Sequence, residues 1–373
     1  MYNIEKIRKL YKELKCPRVY WSPNLEQLFS NDYYMSLSIR QDNGKTTNAL
    51  LTGLCCHKIH GTHILYLRCD KAQTTFSKVA TLFDVVRDCG YIALIYSEYN
   101  DIIYKKFDKA FYLVFRNDDN EIVTQSEEPI CRVVCLEDWQ DYKSGFNDVK
   151  ANFCIFDEFM DSRRFTGFLM TELANCISTF GRGREDFHVL MLANNTNKFS
   201  HWFDDFCIRD TILYLDYGRH ANITSELGTT IYIEMLSLTA KRLSQIENKQ
   251  IRFFGFNTPK MAQFTGVATW QGFNYRQLDF EPLSNDLIAF IKHRNLFIAV
   301  NLVTGDGVAP HLFMTKFNEP RKDDIIVYTQ EPIKLNERLF EDAPQIIKKC
   351  VKNNQICFLS NDIGLLFDDF KRK

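Results

Sequence analysis

No stretch of this chain approaches the roughly 20 consecutive apolar residues needed to span a bilayer. Its N-terminus, Met1-Tyr2-Asn3-Ile4-Glu5-Lys6, lacks the charged, then apolar, then small order of a secretory signal. An excess of one charge sign is also missing. Formal net charge is −1, so nothing global draws the chain to a polyanion, and any nucleic-acid contact must be local or arise from assembling several copies. Twelve cysteines, including the adjacent Cys55 and Cys56, show no regular disulfide spacing. They read as small buried hydrophobes in a reducing cytoplasm. Internal repeats and low-complexity segments are absent, which excludes solenoids and disordered tails.

What is present is core material. The 373 residues exceed one ordinary core and indicate two domains of unequal size. Thirty-one Phe and 17 Tyr supply the area to fill both. Residues 1–30 read as a helical lead-in closed by Pro17 and Pro23, and Tyr33 to Ile39 as a buried strand. A helix runs from Lys45 to about His60, with Gly61 as its C-terminal cap. His63 to Leu67 is expected as a strand, Thr75 to Asp88 as a helix and Tyr91 to Tyr96 as a strand. This alternation predicts a mostly parallel sheet flanked by helices. Asp101 to Leu136 reads as an antiparallel excursion. The core then resumes with Asn152 to Phe156, a helix from about Phe165 to Thr179, the strand Phe187 to Ala193 and a closing strand, Thr211 to Leu215. The expected boundaries are a first domain at 1–215, a helix-prone lid or linker at 216–250 and a second α/β domain at 251–373. The last carries strands at Leu296 to Val303, His311 to Phe317 and Asp324 to Tyr328, and a helix near Pro344 to Lys352.

Two motifs carry chemistry. Arg40-Gln41-Asp42-Asn43-Gly44-Lys45-Thr46-Thr47 joins a strand to a helix. In a P-loop, amides at such a helix start cradle phosphates, the lysine reaches the terminal phosphates and the threonine hydroxyl binds magnesium. The usual first glycine is missing, its place taken by Ile39. About 110 residues on, Phe153-Cys154-Ile155-Phe156-Asp157-Glu158 is an apolar strand ending in two acids. Asp157 is assigned to the metal and Glu158 to the attacking water as catalytic base, with ATP and magnesium as ligands. A third element, Gly181-Arg182-Gly183-Arg184, offers either an arginine that reaches a neighbour's γ-phosphate or a flexible basic turn. Asn194, at the end of its strand, is either a phosphate sensor or a turn former.

At these residues the sequence resembles the DNA-encapsidation ATPases of phi-29-like phages, relatives of terminase large subunits. Arg40 and Gln41 before Gly44-Lys45-Thr46-Thr47 are similar to the arginine-containing Walker A of terminases. Ile64 to Lys71 resembles that family's strand ending in Arg and Lys. Trp139-Gln140 with Lys143 and Ser144, then Phe156-Asp157-Glu158-Phe159, follow the family's order, and Leu192-Ala193-Asn194 resembles its coupling strand. The resemblance implies an ASCE-type P-loop ATPase domain and a smaller RNase H-like C-terminal domain without a working nuclease centre. It also implies a homomeric ring, usually a pentamer, in the host cytoplasm and transiently at the portal vertex of a procapsid. Double-stranded DNA and the portal are the implied partners. Whether a packaging RNA tethers the ring is left open. Arg182 is the implied trans-acting arginine, with Arg184, Lys71 and Lys143 as further candidates for a trans or sensing role.

Two competing functions stay in view: a terminase-type ATPase with an active nuclease, and an assembly protein that binds nucleotide without turnover. A two-metal nuclease needs three or four converging acids. The strand Leu296 to Leu302 has none, and Asp306, Asp323, Asp324, Asp362, Asp368 and Asp369 fall in turn-like or terminal contexts. Cys55, Cys56, His57, His60 and His63 lie along a helix rather than on the turns that structural zinc prefers. His201, Trp202, Phe203 and Phe206 are expected to pack, because duplex DNA hides its base faces.

Overall fold

A computed structural model describes residues 2–16, 20–38, 44–142, 150–160, 169–182, 184, 186–194, 200–215, 218–236, 286–293, 296–305, 308–317, 326–330, 332, 336–353, 355–359 and 361–372. The expectations for Ile39, Arg40, Gln41, Asp42, Asn43, Lys143, Ser144, Asp306, Asp323 and Asp324 lie outside them. The chain divides into two compact units, the first comprising residues 1–196 and 201–244, the second 197–200 and 245–373.

In the first unit the elements run α1 (Ile4–Glu13), α2 (Leu25–Ser30), β1 (Tyr33–Ser38), α3 (Lys45–His60), β2 (His63–Arg68), α4 (Phe76–Val79), α5 (Asp84–Asp88), α6 (Tyr91–Ile95), β3 (Asp101–Lys105), β4 (Ala110–Arg116), β5 (Ile122–Gln125) and β6 (Cys131–Cys135). Then come β7 (Ala151–Asp157), α7 (Leu169–Gly181), β8 (His188–Asn194), α8 (His201–Asp205), α9 (Arg209–Tyr214), β9 (His220–Thr224) and β10 (Thr230–Leu236). They build one sheet of order β3-β4-β6-β2-β7-β8-β1-β10-β9, with β5 paired to β4. From β6 to β10 every neighbour is parallel, so the C-terminal ends of these strands share one edge. Strands β3, β4 and β5 form the antiparallel excursion, whereas β6 joins the parallel core.

Helix α3 is the hub. Every residue from Asn48 to Cys56 is buried, so the helix is enclosed on all sides rather than amphipathic. Gly44 starts it with φ +70°, a left-handed conformation open to glycine, and a Cβ there would sit 2.9 Å from the Tyr20 ring. Gly53 lets the helix press onto β2. An added Cβ would approach Ile64 Cδ1 to 2.6 Å.

Four segments differ from the sequence expectation. Tyr91–Ile95 is a helix, not a strand. Its buried Ile92 and Ile95 lie three residues apart, and a short apolar run does not separate the two conformations. Thr211 to Leu215 likewise belongs to a helix, α9, and the strand that flanks β1 is β10 instead. The supposed linker therefore contains β9 and β10, and the first sheet runs on to Leu236. The expected helix over Thr75 to Asp88 is divided by a turn into α4 and α5.

The second unit holds β11 (Leu287–His293), β12 (Leu296–Gly305), β13 (Val308–Phe317), β14 (Val327–Thr329), β15 (Glu337–Leu339), α10 (Gln345–Lys352), β16 (Ile356–Phe358) and α11 (Asn361–Arg372). Strand order is β15-β14-β11-β12-β13-β16. An antiparallel meander β11-β12-β13 is thus extended by β14 and β15, each parallel to its inner neighbour, and by β16 parallel to β13. Among the described residues, no helix is long and apolar enough to cross a membrane.

Candidate nucleotide site

The parallel register determines which tips meet. Ser38 at the end of β1 pairs with Asn194 at the end of β8, and Asp157 at the end of β7 pairs with Leu192. Because β8 lies between β1 and β7, the C-terminal end of β1 is separated from the β7 acids by one strand. Helix α3 starts in that gap. Its first residue, Lys45, is 7% exposed and donates to the Ser38 hydroxyl and, at 2.8 Å, to Asn194 Oδ1. Burial pushes the Lys45 ammonium down to about 8, although the carboxylates of Asp157, Glu158 and Glu234 pull the other way. Thr46 donates its hydroxyl to Asp157 Oδ2 at 2.9 Å, joining segments 111 residues apart. Thr47 follows on the same first turn.

Asp157 is 2% exposed and saturated with donors. Its Oδ2 also accepts from the Tyr66 hydroxyl at 2.7 Å, and its Oδ1 from the Glu158 amide at 3.0 Å. Glu158 takes φ +52°, a left-handed conformation uncommon outside glycine, which turns the chain sharply at the strand tip. Phe159 then donates its amide to Leu192 O at 3.2 Å, and its ring packs with Phe156 and Trp202 beneath the tip. The expected packing role of Trp202, Phe203 and Phe206 holds, since all three are buried.

Arg68, at the end of β2, is marked by the sequence only as the arginine of a family-like strand, and no role is assigned to it. Its guanidinium lies 3.2 Å from Asp157 Oδ2, pairs with Glu158, and donates Nε–H to the Tyr66 hydroxyl at 3.0 Å. Burial alone would lower its pKa; the Asp157 and Glu158 carboxylates outweigh that and hold it above the ordinary arginine value. The available signal was positional, an arginine at a strand end within the segment Ile64 to Lys71. Its partners depend on β2 lying beside β7, which sequence order does not give.

Lys45, Thr46, Asp157, Glu158 and Asn194 therefore converge, while other candidates do not. Arg182 and Arg184 lie between the end of α7 and the start of β8, at the sheet edge opposite Asp157. Arg184 spans carbonyls, donating to Gly181 O at 3.0 Å, Phe180 O at 2.7 Å and Ala151 O at 2.9 Å, so it caps α7 onto the start of β7. These bonds hold Arg184 at the sheet edge opposite Asp157. Arg182 is exposed at φ +48°, its Nε–H directed at Thr179 O. Lys71 pairs with Asp138 beyond the end of β2. The cysteine and histidine run has structural ties: Cys55 and Cys56 are buried, His57 bonds the Tyr96 hydroxyl, His60 accepts from the Asn3 amide and His63 faces Glu128.

The donor set suits a hard cation. A threonine hydroxyl and a carboxylate meeting at 2.9 Å are the oxygen ligands that magnesium takes, leaving positions for water and phosphate.

In the second unit, the tips of β11 and β14 lie side by side, and α11 reaches them. His293 Nε2 pairs with Asp369 at 2.8 Å, and Gln330 donates to Phe370 O at 2.6 Å. Asp368 is paired with Lys371. Among the described residues no group of three or more acids, histidines or cysteines is disposed to hold a metal.

No protein-family signature and no curated protein sequence matches the chain. Solved structures do. The genome packaging motor assembly of bacteriophage Phi-29 aligns over 95% of this chain and 99% of its own, at 15% identity and TM-score 0.52. The Phi-28 gp11 DNA packaging motor aligns over 94% and 96%, at 14% identity and TM-score 0.46. The large terminase ATPase domain of Thermus phage P74-26 aligns over 69% of this chain and 96% of its own, at 12% identity and TM-score 0.39. The likeness to phage packaging ATPases that the motifs carry thus extends, through the Phi-29 assembly, to a shared fold over nearly the whole chain.

Proposed function

We propose that this chain is the ATP-hydrolysing subunit of a motor that drives double-stranded viral DNA into a preformed procapsid. One observation carries the reading: Lys45 and Thr46 at the start of α3 meet Asp157 and Glu158 at the tip of β7, bridged by the Thr46–Asp157 hydrogen bond. Strand β8 between the two motif strands supports an ASCE-type P-loop domain. Residues 40–47 would wrap the phosphates, with Lys45 neutralising the terminal oxygens. Thr46 and Asp157 would hold magnesium, whose charge polarises the phosphoryl group when bound. Glu158 takes the proton of the attacking water once it exchanges its Arg68 partner for that water. Asn194 holds Lys45 until phosphate arrives, which supports a sensing role.

Arg182 projects from the opposite edge of the sheet, where only a second copy of the chain could bring it to a triphosphate. This supports a homomeric ring, a pentamer by resemblance, with Arg182 acting in trans. The meander with flanking parallel strands supports an RNase H-like second domain. Among the described residues, the strand tips carry a His293–Asp369 pair, and by resemblance the domain couples or binds DNA without cutting it. The partners proposed on the likeness are DNA and the portal of the procapsid, met in the host cytoplasm.

The test is Glu158→Gln in the full chain. ATP binding should persist while hydrolysis falls by roughly 10²–10⁴. Unmodified protein that binds ATP without turnover, with DNA and assembled rings present, would establish the assembly-protein reading instead. Magnesium- or manganese-dependent DNA cleavage would establish the terminase nuclease.

A further inference from the structure

The near-neutral chain requires any DNA contact to be local, and the antiparallel excursion supplies a local basic feature. The turn from β3 to β4 reads Lys105-Lys106-Phe107-Asp108-Lys109. Phe107 is 99% exposed, the most exposed large apolar side chain among those described, and Lys106 beside it is exposed too. The lone acid is engaged, since the Tyr112 hydroxyl donates to Asp108 Oδ2 at 3.0 Å. Lys105 Nζ sits 4.6 Å over the Tyr112 ring, and Lys109 adopts φ +47° where the turn closes. Arg132 on β6 pairs in register with Ala110 and adds a further positive charge alongside.

The turn's position matters as much as its charge. The Val133 amide donates to Lys109 O at 2.9 Å, while β4 runs antiparallel to β6. The turn therefore projects from the same sheet edge as Arg68, Asp157 and Glu158. It is also packed to that site. Tyr104, at the end of β3, contacts Phe111 on one side and Phe76 of α4 on the other, with ring centroids 4.9 and 6.0 Å away. The segment around α4 lines a cavity of about 410 Å³ with Asp70, Lys78 and Leu82, and the opposite wall is Tyr66, Arg68 and Glu158. The turn is thus linked through Tyr104 and Phe76 to α4, which shares the lining of one cavity with Arg68 and Glu158.

We infer that the turn 105–109 contacts the phosphodiester backbone of duplex DNA and transmits that contact through α4 to the Arg68–Glu158 pair. The inference rests on the packaging reading but adds a site that reading does not need. Three lysines match a regular array of phosphates, and an exposed phenylalanine at the tip can lie against sugars or a groove wall. A protein partner at this surface would have to be acidic.

The experiment uses the full chain with Lys105→Ala, Lys106→Ala and Lys109→Ala combined, and separately Phe107→Ala. Binding of a fluorescent duplex is measured by anisotropy across a salt series, next to ATPase activity with and without DNA. The triple variant should keep DNA-independent hydrolysis, bind duplex about tenfold more weakly, and show a log K against log salt slope shallower by about 2 to 3. DNA stimulation of hydrolysis should be lost, and Phe107→Ala should weaken it without changing the slope. An unchanged slope and affinity in the triple variant would overturn the inference while leaving the packaging reading intact. So would loss of ring assembly with the DNA slope preserved, which would make this a protein interface. Failure of the unmodified chain to bind DNA or hydrolyse ATP in assembled rings would refute the packaging reading itself.

Discussion

The buried ammonium of Lys45 makes nucleotide affinity depend on pH in a direction that can be worked out. Burial lowers its pKa from 10.5 to about 8 in the nucleotide-free chain. Keeping it charged at neutral pH costs about 3 kcal/mol of folding stability. The sign follows from which state holds the proton. Between the folded value near 8 and the unfolded value near 10.5, the unfolded chain retains a proton that the folded chain has released. The penalty is therefore fully present below pH 8 and disappears as pH rises to 10.5. A triphosphate reverses the balance, because its negative charge restores the charged lysine. Binding above pH 8 then requires proton uptake, and the apparent Kd should weaken roughly tenfold between pH 7 and pH 9, about 1.4 kcal/mol. Calorimetry at about pH 8.5, in two buffers of different ionisation enthalpy, should report uptake of roughly 0.8 proton per ATP. Lys45→Arg keeps its charge at every pH and should give a flat profile, whereas Lys45→Met should raise the Tm of the nucleotide-free protein and abolish turnover. An affinity that stays constant to about pH 9.5 with no proton uptake would refute the reasoning, for it would mean that Lys45 is solvated or already paired.

Three further outcomes separate positioning from chemistry. Arg68→Ala leaves the buried Asp157 without its cation and should destabilise the nucleotide-free chain by about 3 kcal/mol; magnesium alone should recover part of the lost Tm, although it barely moves the Tm of the unmodified chain, and an unaltered melting curve would show that the pair does not hold in solution. Arg184→Ala strips donors from three carbonyls and should cost about 1–3 kcal/mol with ATP affinity retained. Arg182→Ala should leave the Tm alone but stop hydrolysis in assembled rings, with activity returning when those subunits are mixed with Lys45→Ala subunits; mixed rings that stay inactive would count against an arginine acting in trans.

The site was legible wherever function resides in a local pattern, and illegible wherever it depends on strand order. Gly44-Lys45-Thr46 announces itself through a strand, a turn and a helix start, and Asp157-Glu158 through an apolar strand ending in acids. Tyr66, Arg68 and Ser38 carry no such mark. Their roles exist only because β2 lies beside β7, and β1 beside β8. The place of Arg184 is set in the same way: its carbonyl partners at Phe180, Gly181 and Ala151 come together only once α7 packs at the start of β7. The fold followed a parallel rule. Buried apolar runs such as β2 and β8 were read correctly as strands, but Tyr91–Ile95 and Arg209–Tyr214 are runs of similar length whose conformation is set by packing. Strand β10 was overlooked because Glu234 interrupts its apolar face, and Glu234 is tolerated there because Trp21 Nε1 donates to it from the N-terminal segment.

Charge balance explains why the pocket is stable before any ligand arrives. Two buried cations, Lys45 and Arg68, face two carboxylates, Asp157 and Glu158, so the nucleotide-free site is close to neutral. That neutrality is bought with the groups that catalysis requires. On the proposed reading, Glu158 must release Arg68 before it can accept a proton from water, and Asp157 Oδ2 shares Thr46, Tyr66 and Arg68 until a cation competes for it. A triphosphate brought in with magnesium adds negative charge beside Lys45 and a competing positive charge beside Asp157, which weakens the hold of Arg68 on both acids. On the proposed reading, hydrolysis is withheld until nucleotide and metal are seated together, and Arg68 and Glu158 line one cavity with Lys78 and Val79 of α4, the element whose Phe76 packs against Tyr104 at the base of the basic turn.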